Sequence, residues 1–231
     1  MNILHVENVV TKVSEKTLLQ GISLTLKEGE IKALVGHNGA GKTTLMRTIV
    51  GTMEKQEGKI VLADKYNQDE HFLEFKKNLS YIPEEPMLLT ELTVMQHFQM
   101  YGLSYGISED VLEEKTSRML TGFELEGKLD EYPDALSKGM RQKVQAICAL
   151  LPDVSLLLID EPFMGLDIYA MDFFEQLILE KQRAGTGILL TSHQLERTRE
   201  LADQFMLLEH GQVVSSGSID EFTTITRGTS S

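Results

Sequence analysis

Short apolar and alternating runs dominate the first third of the chain. The runs "ILHVENVV", "ISLTL", "EIKALVG" and "GKIVLAD" have the length of strands and are separated by turn residues such as those at 27–29. Between the last two runs, Leu45, Met46, Ile49 and Val50 recur at helical spacing. This pattern predicts several strands and a helix over 41–50.

The hydrophobic period changes in the middle third and changes back afterwards. "TVMQHFQMYGL" and "SEDVLEEKTSRML" predict helices whose N-caps are Thr93 and Ser108, and a third helix is predicted over 138–151, before Pro152. Strand-like runs then return as "LLLID", "GILLTS", "QFMLLE" and "QVVSS", the last two joined as a hairpin at His210-Gly211. Helices are predicted over 168–183 and 194–202.

This order of elements predicts an α/β protein whose core is built from both ends of the chain. We expect one domain over 1–231, with the core formed by 1–85 and 152–222 and a helical insertion at 86–151. The last residues, 223–231, are expected to fray.

Composition and charge narrow the class of protein. The 231 residues include one cysteine, Cys148, so no internal disulfide forms, which fits a reducing compartment. The N-terminus has no basic region typical of a signal peptide, and no apolar run approaches the roughly 20 residues that span a bilayer. The formal net charge of −13 argues against a nucleic-acid partner. These features predict a soluble cytoplasmic protein.

The stretch "GHNGAGKTT" fits the pattern G-x-x-x-x-G-K-[ST] and lies between a predicted strand and a predicted helix. Backbone N–H groups in such a loop surround a phosphate, because glycine allows the required backbone angles, and the helix adds its positive end. Lys42 is expected to reach the β- and γ-phosphates, and Thr43 to offer its hydroxyl to Mg²⁺. We call residues 36–44 the phosphate loop. Its predicted ATP-binding residues are Gly36, His37, Asn38, Gly39, Ala40, Gly41, Lys42, Thr43 and Thr44.

A buried strand, "LLLID", ends in two acids, Asp160 and Glu161. Beside a phosphate loop, Asp160 is predicted to bind Mg²⁺ and Glu161 to act as the general base that polarises an attacking water. The alternative is a strand that ends in an ordinary polar turn before Pro162.

The stretch "ALSKGMRQKV" closely resembles the signature motif of ABC ATPases, the ATP-binding subunits of ABC transporters. It could equally be an ordinary helix start capped by Ser137, and the two interpretations are compatible. The resemblance implies that Ser137, Lys138 and Gly139 bind ATP held by a second copy of the chain. It also implies a P-loop NTPase core of the ABC ATPase type, with an antiparallel β subdomain and a helical subdomain.

Further stretches resemble other motifs of this family in the expected order. "YIPEEP" resembles the glutamine loop, with Glu84 in place of glutamine, and is implied to contribute to the metal site. "MGLD" resembles the D-loop, which puts Asp167 near the dimer seam. "LLTSHQ" ends in His193, which matches the catalytic switch histidine. The implied catalytic residues are therefore Lys42, Glu161 and His193, with ATP and Mg²⁺ as cofactors.

One expected motif residue is missing. The family usually has an aromatic residue, on which adenine stacks, about two dozen residues before the phosphate loop. Val13 occupies that position here, and no aromatic residue precedes Tyr66. The resemblance still implies that Val13 contacts the base.

The resemblance implies an integral membrane transporter subunit as the partner, and hence a location on the inner face of the cell membrane. Met87, Leu88 and Leu89 are apolar residues that we expect to be exposed, and they are the candidate contact, with plain core packing as the alternative. Similarity to ABC-2-type and Ecs-type subunits implies a bacterial exporter.

The rival hypothesis is an ABC-type ATPase that acts on ribosomes or DNA without a transporter. It is disfavoured by the single phosphate loop and by the absence of a heptad run or metal-cysteine spacing.

Overall fold

The computed structural model describes residues 1–192 and 195–222. The predicted tail, 223–231, and His193 therefore lie outside the described residues. The strands are β1 (Asn2–Val13), β2 (Lys16–Lys27), β3 (Ile31–Val35), β4 (Glu57–Leu62), β5 (Tyr66–Asn67), β6 (Leu79–Ile82), β7 (Leu156–Asp160), β8 (Gly187–Thr191), β9 (Gln204–Glu209) and β10 (Gln212–Ser218). The helices are α1 (Lys42–Val50), α2 (Phe72–Lys77), α3 (Val94–Tyr105), α4 (Glu109–Gly122), α5 (Lys138–Leu150), α6 (Ile168–Arg183) and α7 (Leu195–Leu201), with a 3₁₀ turn at Pro133–Ala135.

Two sheets organise the described part of the chain. One is antiparallel, in the order β2-β1-β4-β5, and the other has the order β10-β9-β3-β8-β7-β6. In the second sheet β9, β3, β8, β7 and β6 are parallel neighbours, and β10 joins the edge as the antiparallel arm of a hairpin. The parallel strands are buried on both faces, which explains why β7 and β8 read as continuous apolar runs.

The two faces of the parallel sheet are covered by different layers. Leu156 and Leu158 of β7 pack in a core shared with α1 and the antiparallel sheet. Leu157 and Ile159, which point the other way, pack in a core shared with α3, α4, α5 and α6. The phosphate-loop helix therefore lies between the two sheets, and the helical middle of the chain covers the opposite face.

Most predicted elements are confirmed. Thr93 caps α3 in a full capping box with Gln96, whereas Ser108 stands at the N-cap of α4 without a side-chain hydrogen bond. The hairpin at His210-Gly211 is also confirmed. The short helix α2 and the strand β6 were not predicted, because runs of 6 and 4 residues carry too little periodic signal. The fold class is confirmed, and the subdomain boundaries at 85–86 and 151–152 remain predictions.

None of the helices in the described ranges combines the length and apolarity that crossing a membrane requires.

Candidate functional site

The phosphate loop lies at the carboxyl edge of the parallel sheet, directly after β3. A cavity of about 500 Å³ opens there, and phosphate-loop residues Asn38, Gly39 and Lys42–Thr44 form one wall. Ligand sites in parallel α/β sheets lie at this edge, because loops from several strands meet there. The fold thus gives the loop the position that the sequence predicted for it.

The backbone of the loop is fixed by close contacts that exclude a side chain. A Cβ atom on Gly36 would lie 2.3 Å from the carbonyl oxygen of Leu208 in β9. Gly41 stands at the N-cap of α1 with φ of 112°, a conformation that favours glycine. Ala40 is buried, and its carbonyl accepts a hydrogen bond of 2.8 Å from the N–H of Gly211. The loop is therefore held against the hairpin of β9 and β10.

Lys42 projects back over its own loop. Its Nζ donates to the carbonyl oxygens of Gly36 at 2.7 Å and His37 at 3.3 Å, and the residue is only 8% exposed. The ring of His37 faces that of His210, with the ring centroids 5.2 Å apart. The ammonium group is thus the cation at the floor of the cavity, next to the positive end of α1.

Asp160 ends β7 and is 1% exposed. Its Oδ1 accepts a hydrogen bond of 2.6 Å from the hydroxyl of Thr191, the last residue of β8 and its partner in register. Its Oδ2 is buried and, within the described residues, has no hydrogen-bond partner. A buried carboxylate oxygen without a donor suits a cation. Burial, and next the negative charge of Asp160, raise the pKa of the neighbouring Tyr81.

Glu161 follows in an unusual backbone conformation. Its φ is 54°, which an L-residue adopts at a cost, and its N–H donates to the hydroxyl of Thr191 at 3.0 Å. The residue is 7% exposed and lines the cavity. The hydroxyl of Thr191 therefore holds both acids at once, through a side chain and a backbone group.

Glu84 also lines the cavity, which brings a third carboxylate to face Lys42. It follows β6, the neighbour of β7 in the sheet. Among the described residues no group of three or more acids, histidines and cysteines is arranged to hold a metal by itself. A Mg²⁺ ion here would need ligands from a bound phosphate and a hydroxyl, as P-loop sites provide. The half-buried Thr43, which lines the same cavity, offers that hydroxyl.

The signature residues do not line this cavity. Ser137 caps α5 by accepting a hydrogen bond of 3.2 Å from the N–H of Met140. Lys138 is exposed and donates to Glu85 at 2.7 Å. A Cβ on Gly139 would lie 2.6 Å from the carbonyl oxygen of Gly165. Residues 137–139 therefore form an exposed or half-exposed helix N-terminus outside the cavity of the same chain.

Asp167, which follows Asp160 and Glu161 along the chain, lies close to the signature helix α5. It caps α6 and forms an ion pair of 2.8 Å with Lys143 of α5. The hydrogen bond from Lys143, together with that from the N–H of Ala170, lowers the pKa of Asp167. The ion pair ties the loop that carries Glu161 to the signature helix.

Val13 ends β1 at the β1–β2 hairpin, opposite Lys16, and is half-exposed. It does not line the cavity, although Lys16 and Leu18 of the same hairpin do. The predicted contact of Val13 with a base therefore remains a prediction. Lys16, Leu18 and Thr191 were not among the predicted site residues.

The segment after Glu84 alternates between outward and inward side chains. Met87 is 74% exposed and Leu89 is 49% exposed, but Leu88 is partly buried against the helical core, so the expectation that all three are exposed was wrong for Leu88. The N–H of Met87 donates to Gln145 Oε1 at 3.0 Å, and the N–H of Leu89 donates to His97 Nε2 at 2.9 Å. Two buried side chains of α5 and α3 thus hold the segment in an extended form.

Comparisons with known proteins find related sequences and structures. The family model described as "ABC transporter" matches residues 19–164. "ABC-type transporter ATP-binding protein EcsA" of Bacillus subtilis (strain 168) is 35% identical over 222 residues, which cover 96% of this chain and 89% of that protein. "Lipopolysaccharide export system ATP-binding protein LptB" of Haemophilus influenzae is 27% identical, covering 96% and 92%. The solved "Structure of ATP binding subunit of ABC transporter" superimposes with a TM-score of 0.92 at 34% identity, covering 99% of this chain and 95% of that one.

Replacing Thr191 tests whether its hydroxyl holds the two acids. Thr191→Val keeps the shape but removes the donor to Asp160 and the acceptor of the Glu161 N–H, so we expect a loss of about 1–3 kcal/mol in the free energy of unfolding. Urea denaturation measures this loss, and Thr191→Ser, which keeps the hydroxyl, is the control. Equal stability of the valine variant and the parent chain would contradict the assigned role.

Proposed function

Because this chain belongs to the ABC transporter family and is one of its ATP-binding subunits, we propose that it drives a bacterial exporter by hydrolysing ATP·Mg²⁺ between two copies of itself. The observation that carries the proposal is the convergence of Lys42, Asp160 and Glu161 in one cavity at the sheet edge. Export is supported by the similarity to the ATP-binding protein of a lipopolysaccharide export system.

In this proposal the phosphate loop holds the ATP polyphosphate. Backbone N–H groups of residues 36–44 and the N-terminus of α1 surround the β-phosphate, and Lys42 lies where it contacts the β- and γ-phosphates. The ammonium exchanges its carbonyl partners at Gly36 and His37 for phosphate oxygens. Local cations and amides thus attract a polyanion to a chain whose net charge is −13.

Asp160 and Thr43 are the proposed protein ligands of Mg²⁺, and Glu84, which lines the same cavity, is proposed as a further ligand. The buried Oδ2 of Asp160, which has no hydrogen-bond donor among the described residues, supports this assignment. Mg²⁺, when bound, neutralises charge on the β- and γ-phosphates. Thr191 keeps the carboxylate of Asp160 in place through its hydroxyl.

Glu161 is the proposed general base for the attacking water. Its backbone conformation and the hydrogen bond of its N–H to Thr191 direct it into the cavity beside Asp160. A carboxylate so placed accepts the proton of a water that attacks the γ-phosphate. His193 is proposed as a further catalytic residue. This proposal rests on the sequence alone, because His193 lies outside the described residues.

A second copy of the chain is proposed to complete each site. Ser137, Lys138 and Gly139 are exposed or half-exposed and do not line the cavity of their own chain, so they are available to the γ-phosphate held by another copy. The positive N-terminus of the 13-residue helix α5 favours an anion there. Asp167, with its carboxylate next to Lys143, lies at the proposed seam.

The membrane partner is proposed to contact Met87 and Leu89. Leu88, between them, packs against the helical core. The adjacent cleft of about 350 Å³ has Pro83, Tyr101 and Tyr105 in its walls. Membership of the family implies a membrane subunit in general, and this surface is our candidate for its docking site. Docking there would hold the chain at the inner face of the cell membrane.

We also propose that the chain divides into a core (1–85, 152–222) and a helical subdomain (86–151).

Glu161→Gln tests the proposed base. The amide preserves shape but accepts a proton poorly, so ATP hydrolysis should slow by about 100-fold or more while ATP still binds. Steady-state ATPase assays measure the rate, and gel filtration with ATP·Mg²⁺ should reveal a trapped dimer. Glu196→Gln, at an exposed position on α7, serves as the control. Hydrolysis at the parental rate in Glu161→Gln would rule out this residue as the base.

Glu84→Gln tests whether the third carboxylate is needed. Either side chain offers an oxygen to Mg²⁺ or water, so we expect an active enzyme with only a modest change in its Mg²⁺ requirement. The measurement is ATPase activity as a function of Mg²⁺ concentration. If activity is lost completely, the negative charge of Glu84 is itself required, and treating the two side chains as interchangeable is wrong.

Val13→Tyr tests the proposed contact with the base. Base–aromatic stacking is worth roughly 1–3 kcal/mol, so a tyrosine there should tighten ATP binding several-fold. The parent, which lacks this stacking, should discriminate poorly between ATP and GTP. Titrations of both nucleotides against parent and variant measure the two effects. Unchanged ATP affinity in Val13→Tyr would mean that the base does not lie over residue 13.

A further inference from the structure

A second lysine borders the cavity that contains Lys42. Lys16, at the start of β2, lines the cavity with an exposed side chain. Within the described part of the chain it forms no ion pair. Lys42, in contrast, is nearly buried and is held by two carbonyl groups. The ammonium group of Lys16 is therefore available to a ligand at the mouth of the cavity.

The hairpin places Lys16 between two parts of the proposed nucleotide site. Leu18 touches the phosphate loop, since a Cβ on Gly41 would lie 3.4 Å from its carbonyl oxygen. Lys16 is two residues earlier on the same strand, about 6–7 Å along it, and it pairs across the hairpin with Val13. A nucleotide with its β- and γ-phosphates in the loop and its base near Val13 would pass Lys16 at the level of its α-phosphate.

The charges of the cavity favour a second cation beside the α-phosphate. Glu84, Asp160 and Glu161 all line the cavity, and the lysines that face them are Lys42 and Lys16. A polyanion entering the cavity needs positive charge beyond Lys42, because the chain as a whole carries −13. A lysine ammonium is a compact point charge that suits phosphate oxygens and carries no preference for a particular base.

We propose that Lys16 binds the α-phosphate of the nucleotide and thereby anchors it where the stacking aromatic is missing. The ligand class is the nucleoside di- and triphosphates, with ATP and GTP held equally by this contact. The inference rests on the proposed function, since it assumes a nucleotide whose β- and γ-phosphates occupy the loop.

The test measures binding of ATP, GTP, tripolyphosphate and pyrophosphate to the parent chain and to two variants by calorimetric titration. Lys16→Gln removes the proposed contact, and Lys12→Gln removes an exposed lysine of the same hairpin that does not line the cavity. Thermal unfolding of both variants checks that the fold is kept. We expect Lys16→Gln to weaken ATP, GTP and tripolyphosphate by about 3- to 10-fold, and Lys12→Gln to change none of them.

The outcomes separate this inference from the proposed function. Pyrophosphate, which is too short to reach from the loop to Lys16, should bind Lys16→Gln as it binds the parent. Equal losses of ATP affinity in the two lysine variants, or no loss in Lys16→Gln, would overturn the inference. The proposed function would stand in either case, provided that the parent chain binds ATP. A loss for ATP without a loss for tripolyphosphate would assign Lys16 to the ribose or base and would also overturn it. Failure of the parent to bind ATP would refute the proposed function itself.

Discussion

The parallel pairing of β3, β8 and β7 is the constraint on which the rest of the site depends. Because these strands run in one direction, the loops that follow them leave from one edge of the sheet. The register aligns Asp160 with Thr191, so that a single hydroxyl binds the carboxylate of Asp160 and the N–H of Glu161. The backbone hydrogen bonds that build the sheet therefore also fix the distance between the phosphate loop and its acids.

The second sheet fixes the loop from the other side. β2 passes closely over the loop at Leu18 and Leu19, since a Cβ on Gly41 would lie 3.1 Å from the Leu19 side chain and 3.4 Å from the Leu18 carbonyl oxygen. A Cβ on Gly211, in the β9–β10 hairpin, would lie only 2.2 Å from the same carbonyl oxygen. These contacts hold the β1–β2 hairpin beside the cavity, which Lys16 and Leu18 of the hairpin line. The site thus takes residues from the carboxyl edge of the parallel sheet and from the antiparallel sheet, and the signature residues do not line it.

The sequence predicted the phosphate loop, the two acids and most strands and helices, because each has a strong local pattern. It did not predict α2 and β6, which are too short to show periodicity, although β6 determines where Glu84 lies. Lys16 and Thr191 were missed because strand register and sheet packing, rather than neighbouring residues, bring Lys16 to the cavity and Thr191 to Asp160. Leu88 was misjudged because an extended segment alternates its side chains, and only the hydrogen bonds to Gln145 and His97 reveal that it is extended.

We propose that each ATP site is shared between two copies of the chain. Mixing two inactive variants tests it most directly: one carries Lys42→Ala and the other carries Ser137→Arg. In a mixed dimer one site loses both residues and the other keeps both, so equal mixing should restore about one quarter of the parental ATPase activity if dimers form at random and sites act independently. Full activity of Ser137→Arg alone, or a mixture as inactive as its two components, would contradict the shared site.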